Sequence, residues 1–439
     1  MIRFVHVADL HFGVENYGKI DPKTGIHTRL LDFKAALDQA IAHAITEQVD
    51  FFLFCGDAYK TPFPTPTQQR LLLDSFLALF RAQIPVVIIV GNHDNPASFG
   101  KTHALDIFGQ LPVDGFIVVE KPRIIRLDTK HGPVQIVGIP WPNRSHLPLN
   151  NHVSSHPREL AGAISTRIAQ IVRTCAEQLD PHEPSIFAAH LTVSNGLFSG
   201  SERRAIIGND PVFLPSQLAI PPFDYVALGH LHRHQELRCG RTPIVYPGSI
   251  ERIDFGELRD EKGFCIVEIE KREAGEKITN HRFVPIKTRE FVEIEIRLVP
   301  DQDQTAQIIT EIKRRNLQRD AIIKIIYRLP DGQPDRVDLR AVSNACAPAH
   351  DIAAIIPIRT LAPRMQRSFI ATNTSLAHAL TLYCSAKKIS SAQQERIALL
   401  LHRLEDAHYV PSNVGTTEES CLQHHPPAPP SLRPDLLDG

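Results

Sequence analysis

The run Val86–Val90, VVIIV, is an unbroken series of β-branched residues, and Gly91-Asn92-His93-Asp94 follows it with no spacer. Such a run reads as a strand buried on both faces, which demands a covering layer above and below it. IRFVHVA (2–8) and DFFLFC (50–55) have the same character. Between them Leu30, Phe33, Leu37, Ile41, Ala44 and Ile45 recur at helical spacing. TPTQQRLLLDSFLALF (65–80) reads as a second helix, with Thr67 as its predicted N-cap. This β-α-β-α-β start predicts an α/β fold with helices packed on a sheet. VQIVGI (134–139), SIFAAH (185–190) and FDYVALGH (223–230) read as further strands. A helix between them carries Leu160, Ile164, Ile168, Ile171 and Cys175 on one face.

The chain has 439 residues, which suggests about three domains. Near Pro285 the pattern changes. FVEIEIRLV (291–299) alternates with period two, and a helical and another strand-like run follow it. The expectation is a first domain over 1–285 and a small α+β domain over 286–360. Residues 374–407 hold two helical patterns. Leu376, Leu380 and Tyr383 form one apolar stripe, and Ile397, Leu400, Leu401 and Leu404 form the other. Ser390 and Gln393 have the spacing of a capping box. The tail, 410–439, is rich in proline and poor in large apolar residues, and is expected to be disordered. The seven cysteines, at 55, 175, 239, 265, 346, 384 and 421, include no C-x-x-C pair. They read as reduced thiols of a cytoplasmic protein. No signal-peptide pattern and no apolar run of spanning length is evident, so no membrane partner is expected. The formal net charge of −1 gives no general attraction for polyanions. Any nucleic-acid contact must be local, or come through metal ions or a partner.

Each predicted strand of the first domain ends in metal-type ligands. These are Asp9-x-His11, Gly56-Asp57, Gly91-Asn92-His93-Asp94, His190 and Gly229-His230-x-His232. In open α/β sheets, sites form beyond the carboxyl ends of the strands, so the five clusters can converge. Asp9, His11, Asp57, Asn92, His190, His230 and His232 are more oxygen and nitrogen ligands than one catalytic ion needs. They suit two ions sharing a carboxylate, and without thiolate they favour Mn, Fe or Zn. Two ions about 3.5–4 Å apart can hold a phosphate, generate a nucleophile from water and stabilise both the attacking and leaving oxygens. A single D-x-H or G-H-x-H carries little weight, because a lone histidine is more often structural. Five fragments, each at a strand end, carry much more.

In this order, D-x-H, G-D, G-N-H-D, H and G-H-x-H resemble the calcineurin-like metallophosphoesterase superfamily. The resemblance implies a four-layer sandwich of two sheets flanked by helices. It places one ion on Asp9, His11, Asp57 and His232, and a second on Asp57, Asn92, His190 and His230, with Asp57 bridging. It makes His93 a catalytic acid or transition-state stabiliser, with Asp94 orienting its ring. GNHDNPASFG (91–100), GSERRAIIGNDPVFLPSQL (200–218) and YPGSIERIDFGELRDEKGF (246–264) further resemble the SbcD family of DNA-repair exonuclease subunits. That similarity implies a two-Mn²⁺ DNA nuclease, exonucleolytic on double strands and endonucleolytic on single strands, in double-strand-break repair, recombination and hairpin processing. It makes 286–360 a DNA-capping domain and 374–407 a helical arm docked on an SbcC-type coiled-coil ATPase, in a homodimer within a heterotetramer. Archaeal and eukaryotic relatives carry a histidine where this chain has Lys60, which puts exonuclease efficiency in question. Lys60 can hold a phosphate as a point charge. Of the scattered basic residues, Arg203-Arg204, Arg233, Arg252 and Lys313-Arg314-Arg315, only Arg233 adjoins the ligand set. Two alternatives remain. A small-molecule or protein phosphoesterase of the same superfamily would not need residues 286–407. A non-catalytic scaffold would have lost a ligand.

Overall fold

The computed structural model of the chain describes residues 1–96, 102–111, 113–142, 156–200, 210–272, 275–315, 320–359, 375–387 and 389–407. It divides into two units, Met1–Thr360 and Leu361–Gly439. In the first unit, strands β1 (Ile2–Val7), β2 (Phe51–Cys55), β3 (Val86–Ile89) and β4 (Phe116–Val119) lie parallel in that order. A second sheet has β6 (Gly132–Ile139), β7 (Ser185–His190), β10 (Tyr225–Gly229) and β12 (Thr242–Tyr246) parallel. Its antiparallel edges are β5 (Arg123–Thr129) and β11 (Gln235–Cys239). The two-residue strands β8 (Thr192–Val193) and β9 (Val212–Phe213) pair beside it. The chain then returns to the first sheet, where β13 (Gly263–Lys271) runs antiparallel to β1 and β14 (Lys277–Pro285) antiparallel to β13.

The apolar runs are unbroken because both faces of each sheet are covered. On the outer face of the first sheet, Phe52, Phe54, Val86 and Ile88 pack with Phe33 and Leu37 of helix α1 (Thr28–Thr46) and with Leu72 and Phe76 of helix α2 (Pro66–Arg81). The alternate residues Phe51, Leu53, Val87 and Ile89 face the second sheet and meet Ile136, Ile186, Ala188 and Tyr225. After the short helix α3 (Asp106–Gln110), helix α4 (Pro157–Glu177) covers the far side, with Ile164, Ile168 and Val172 on Val137, Phe187 and Leu228. The layers are therefore helix, sheet, sheet, helix. Phe51, Phe52 and Phe54 are fully buried, and each such side chain contributes on the order of 1.5–3 kcal/mol.

The N-cap of α2 is Thr65, not Thr67. Thr65 precedes Pro66, and a residue before proline is pushed into the extended region that an N-cap requires. Its hydroxyl accepts from Gln68 N–H at 3.3 Å, while Gln68 Oε1 accepts from Thr65 N–H at 2.9 Å, a complete capping box.

Within 286–359, β15 (Phe291–Arg297), β16 (Ile322–Leu329) and β17 (Asp351–Arg359) form a parallel sheet. Helices Gln304–Arg314 and Leu339–Ala345 connect them, so strands and helices alternate here rather than segregate as in an α+β arrangement. Ile308, Ile312 and Val342 of the helices bury against Ile294, Ile323 and Ile325. This subdomain is tied to α1: Arg289 reaches Asp32 with two 2.6 Å bonds, and His350 Nε2 lies 2.8 Å from Thr28 Oγ1.

In the second unit, helices Leu376–Ala386 and Ser391–Ala407 enclose a cleft of about 520 Å³ lined by Leu380, Cys384, Ala398 and Leu401. The predicted stripes split between two environments. Leu380 and Leu401 face the cleft, whereas Leu376, Tyr383 and Leu400 are more than half exposed. The Ser390 hydroxyl donates to Gln393 Oε1 at 3.0 Å. The tail, 410–439, lies outside the described residues. Six described cysteines are free, and no described helix is long and apolar enough to cross a membrane.

Candidate metal centre

The backbone turns sharply where the strands end. Asp9, His11, Asp57 and His230 all have left-handed backbones, with φ of 54°, 52°, 57° and 103°. That region costs a non-glycine residue about 1–3 kcal/mol and clusters at functional sites. Asp and His tolerate it better than branched residues do. Two glycines give the ligands room. A Cβ at Gly91 would collide with Asp57 Oδ1, and one at Gly229 with the Cys55 carbonyl.

These turns gather side chains from both sheets. His11 Nε2 lies 3.1 Å from His232 Nε2 and 3.5 Å from Asp57 Oδ2. His190 Nε2 lies 3.3 Å from the same Asp57 oxygen and 2.9 Å from Asn92 Oδ1. His230 Nδ1 is 3.1 Å from that Asn92 oxygen. The ligand atoms of Asp9, His11 and His232 lie within 4.8 Å of one another, as do those of Asp57, His190 and His230. Asp57 thus stands between the two sets, through its Oδ2 contacts with His11 and His190. Its Oδ1 accepts from His93 N–H at 2.9 Å, and both Asp9 oxygens accept from His230 N–H at 3.0 Å.

Burial and charge act strongly on these groups. Burial pushes Asp9 up to about 7 and holds His11 well below its ordinary value. Burial opposes ionisation of Asp57, but the imidazoles of His190 and His11 hold it well below the usual carboxylate range. Burial also opposes a proton on His190, and the Asp57 carboxylate outweighs it, raising His190 to about 9. The tautomers follow from the second partners. A carbonyl only accepts, so the 2.8 Å contact to Cys55 O makes His190 Nδ1 the donor. The Glu257 carboxylate, held below its ordinary range despite burial by the Lys262 ammonium and by His232, fixes His232 Nδ1 in the same way at 2.9 Å. An ion that displaces the proton Asp57 holds on His190 would find the Nε2 lone pair of either ring aimed at it. The donor set of nitrogen and oxygen, without sulfur, fits hard to borderline divalent ions.

The calcineurin-like phosphoesterase profile matches residues 2–234, from β1 through His232. The chain belongs to that family. Divalent metal binding at the centre follows from this membership and from the clusters just described. Beyond the phosphoesterase match, the chain is similar to proteins named as the SbcD component of the nuclease SbcCD. That of Bacillus subtilis is 27% identical over 356 residues, spanning 78% of this chain and 86% of its own length. Those of Staphylococcus epidermidis (27%, spanning 72% and 77%) and Staphylococcus saprophyticus (28%, spanning 67% and 71%) are comparable.

At the phosphoesterase centre His93 is part-exposed, with its ring centroid 4.9 Å from that of His11. Asp94 does not orient it. His93 Nδ1 instead donates to the Lys60 carbonyl at 2.8 Å. Asp94 is fully buried, pushed up to about 6 by burial and the Asp57 charge, and accepts from Tyr59 N–H at 3.0 Å and Gly91 N–H at 3.1 Å. Neighbours in a tight turn point apart, so Asp94 ties the β2 and β3 loops together while His93 turns to the centre, with a ring nitrogen within 4.8 Å of ligand atoms of His11 and Asp57. The Lys60 side chain is exposed. Arg233 is half exposed, 3.9 Å from Asp260. Arg252 donates inward to Thr288 Oγ1 at 2.6 Å and to the Asp260 carbonyl at 3.1 Å. Arg314 and Arg315 both engage Glu311. Arg203 and Arg204 lie outside the described residues.

Sequence reading missed a buried brace. Besides His232, Glu257 binds Lys262 Nζ at 2.8 Å and Ser249 Oγ at 3.0 Å, and Lys262 Nζ reaches the His232 carbonyl at 3.1 Å. Glu257, Lys262 and Ser249 all lie in the 246–264 string, which gave a family likeness but no role for its residues. Asp210, 3.6 Å from His230 Nε2, and Trp141, beside the same ring, were missed as well. Trp141 follows β6 at the same kind of strand end as the ligands, and that position was the available signal.

Proposed function

We propose that this phosphoesterase is a metal-dependent DNA nuclease subunit. It hydrolyses phosphodiesters of double-stranded ends and of single strands, in double-strand-break repair, recombination and hairpin processing. The observation that carries the reading is the combination of a seven-residue centre with similarity to SbcD proteins over 67–78% of the chain. Asp9, His11, Asp57 and His232 would hold one ion, and Asp57, Asn92, His190 and His230 the other, with Mn²⁺ the proposed metal. When bound, such ions neutralise the phosphate and supply a nucleophile from water at neutral pH.

The chain's own groups do the rest. His93, its Nδ1 fixed by the Lys60 carbonyl and its ring beside His11 at the edge of the centre, would protonate the leaving oxygen through Nε2. Asp94 holds the two loops that carry Asp57 and His93. Lys60 and Arg233 offer positive charge to flanking phosphates. The 286–360 subdomain would cap the DNA. The exposed Leu376, Tyr383 and Leu400 would dock on a coiled-coil ATPase of the SbcC type, since apolar helix faces commonly engage partner helices. A homodimer completes the proposed assembly.

The test is purified protein with Mn²⁺ and end-labelled linear duplex, with and without the ATPase. Metal-dependent shortening of the labelled strand is expected. Hydrolysis of p-nitrophenyl phosphate with intact DNA in both arms would favour a small-molecule phosphoesterase instead.

A further inference from the structure

Trp141 is the single tryptophan of the chain. Its backbone N–H donates to the Val90 carbonyl at 2.8 Å, so the segment leaving β6 is pinned to the end of β3, immediately before Gly91-Asn92. This pin lays the indole against the metal centre. Its ring centroid is 4.9 Å from that of His230, with 36° between the planes, and 6.1 Å from that of His190, at 71°. Unlike His190 and His230, which are buried, Trp141 stays part-exposed.

A part-exposed flat ring on the wall of a phosphate-handling centre has one chemical use that a histidine brace alone does not require. A scissile phosphate bound at the ion that Asn92, His190 and His230 would hold brings the base of its nucleotide alongside. A base at a strand end or in a single strand has lost a stacking neighbour, and an aromatic side chain can replace it. Such stacking is sequence-tolerant, because every base has a π-face. We infer that Trp141 is a stacking platform for a nucleobase flanking the scissile phosphate. The centre thereby favours base-bearing, unpaired strands over abasic ones of the same charge. This rests on the nuclease reading above.

Because Trp141 is the only indole, intrinsic fluorescence reports on this one position. Mn²⁺ should quench it. A base-bearing phosphorothioate single strand should then change the emission further, and an abasic strand of equal length should not. In cleavage assays Trp141→Ala should raise KM for the base-bearing strand by roughly 5- to 150-fold, the range of one base–aromatic stack. It should leave kcat little changed and abolish discrimination against the abasic strand. Trp141→Phe should keep most of that discrimination. If Trp141→Ala weakens Mn²⁺ binding yet still discriminates against the abasic strand, Trp141 is only a wall for His230 and the inference is overturned. If wild-type protein binds and cleaves neither strand while hydrolysing p-nitrophenyl phosphate, the nuclease reading itself fails and takes the inference with it. Cleavage of both strands at equal efficiency by the wild type would overturn the stacking role alone.

Discussion

His190 and His232 stand on opposite sides of the centre and are held by different kinds of partner. The Nδ1 of His190 is fixed by the Cys55 backbone carbonyl, and that of His232 by the Glu257 carboxylate. The first brace is set by strand β2, and no side-chain replacement at Cys55 removes it. The second depends on a buried Glu257–Lys262–Ser249 network in which every member can be substituted. Outer partners of this sort orient a ligand and raise its basicity. The two sides should therefore differ in how easily they are damaged, even though Asp57 contacts a histidine of each set.

Removing the shared residue should erase the difference. Asp57→Ala is expected to lose both ions and with them all hydrolysis, as measured by equilibrium dialysis against Mn²⁺; retention of two ions at unchanged affinity would show that Asp57 bridges nothing. His93→Ala should leave both sides loaded and reduce cleavage by roughly 10²–10⁴-fold. Loss of metal to the extent seen for Asn92→Ala would make His93 a ligand instead. Glu257→Gln tests the asymmetry itself. It should weaken one ion by about 10–100-fold and spare the other, so a metal titration that is uniform in wild type becomes biphasic; equal weakening of both would remove the distinction between the two sides. The smallest effect on the centre is expected from a chain ending at Arg367, which should bind Mn²⁺ as the full chain does but no longer co-purify with a coiled-coil ATPase. Unfolding of that shorter chain would place the helices in its own core.

What was legible in the sequence was whatever is local. Each candidate ligand is the last residue of its strand or follows it within four residues, so Asp57 or His190 is visible as soon as the strand is. The two-faced burial of β3 is written in Val86–Val90, because both faces need apolar residues. Four features were not legible, for distinct reasons. Thr65 and Thr67 flank Pro66 almost symmetrically, and only the backbone bias before proline selects Thr65. Asp94 adjoins His93 in sequence, yet the turn sends the two side chains in opposite directions. Glu257 lies 25 residues after His232, across β11 and β12, and no periodicity connects an acid in a single 3-10 turn to a distant ring. The parallel sheet in 291–359 was hidden because alternation such as that of FVEIEIR reports half-burial and not strand direction.

The proposed ligands are divided between the sheets. Asp9, His11, Asp57 and Asn92 come from the ends of the first, and His190, His230 and His232 from the ends of the second. Neither sheet alone holds a complete set, so the separation of the sheets is itself a dimension of the site. That separation is set some way off, by Phe51, Leu53, Val87, Ala188 and Tyr225 in the layer between them. A close-packed layer transmits a change of even one methylene. Metal affinity can therefore serve as a gauge of the inner core. An enlarged Ala188, with no ligand altered, would register as a change in Mn²⁺ binding before it registered as a loss of fold.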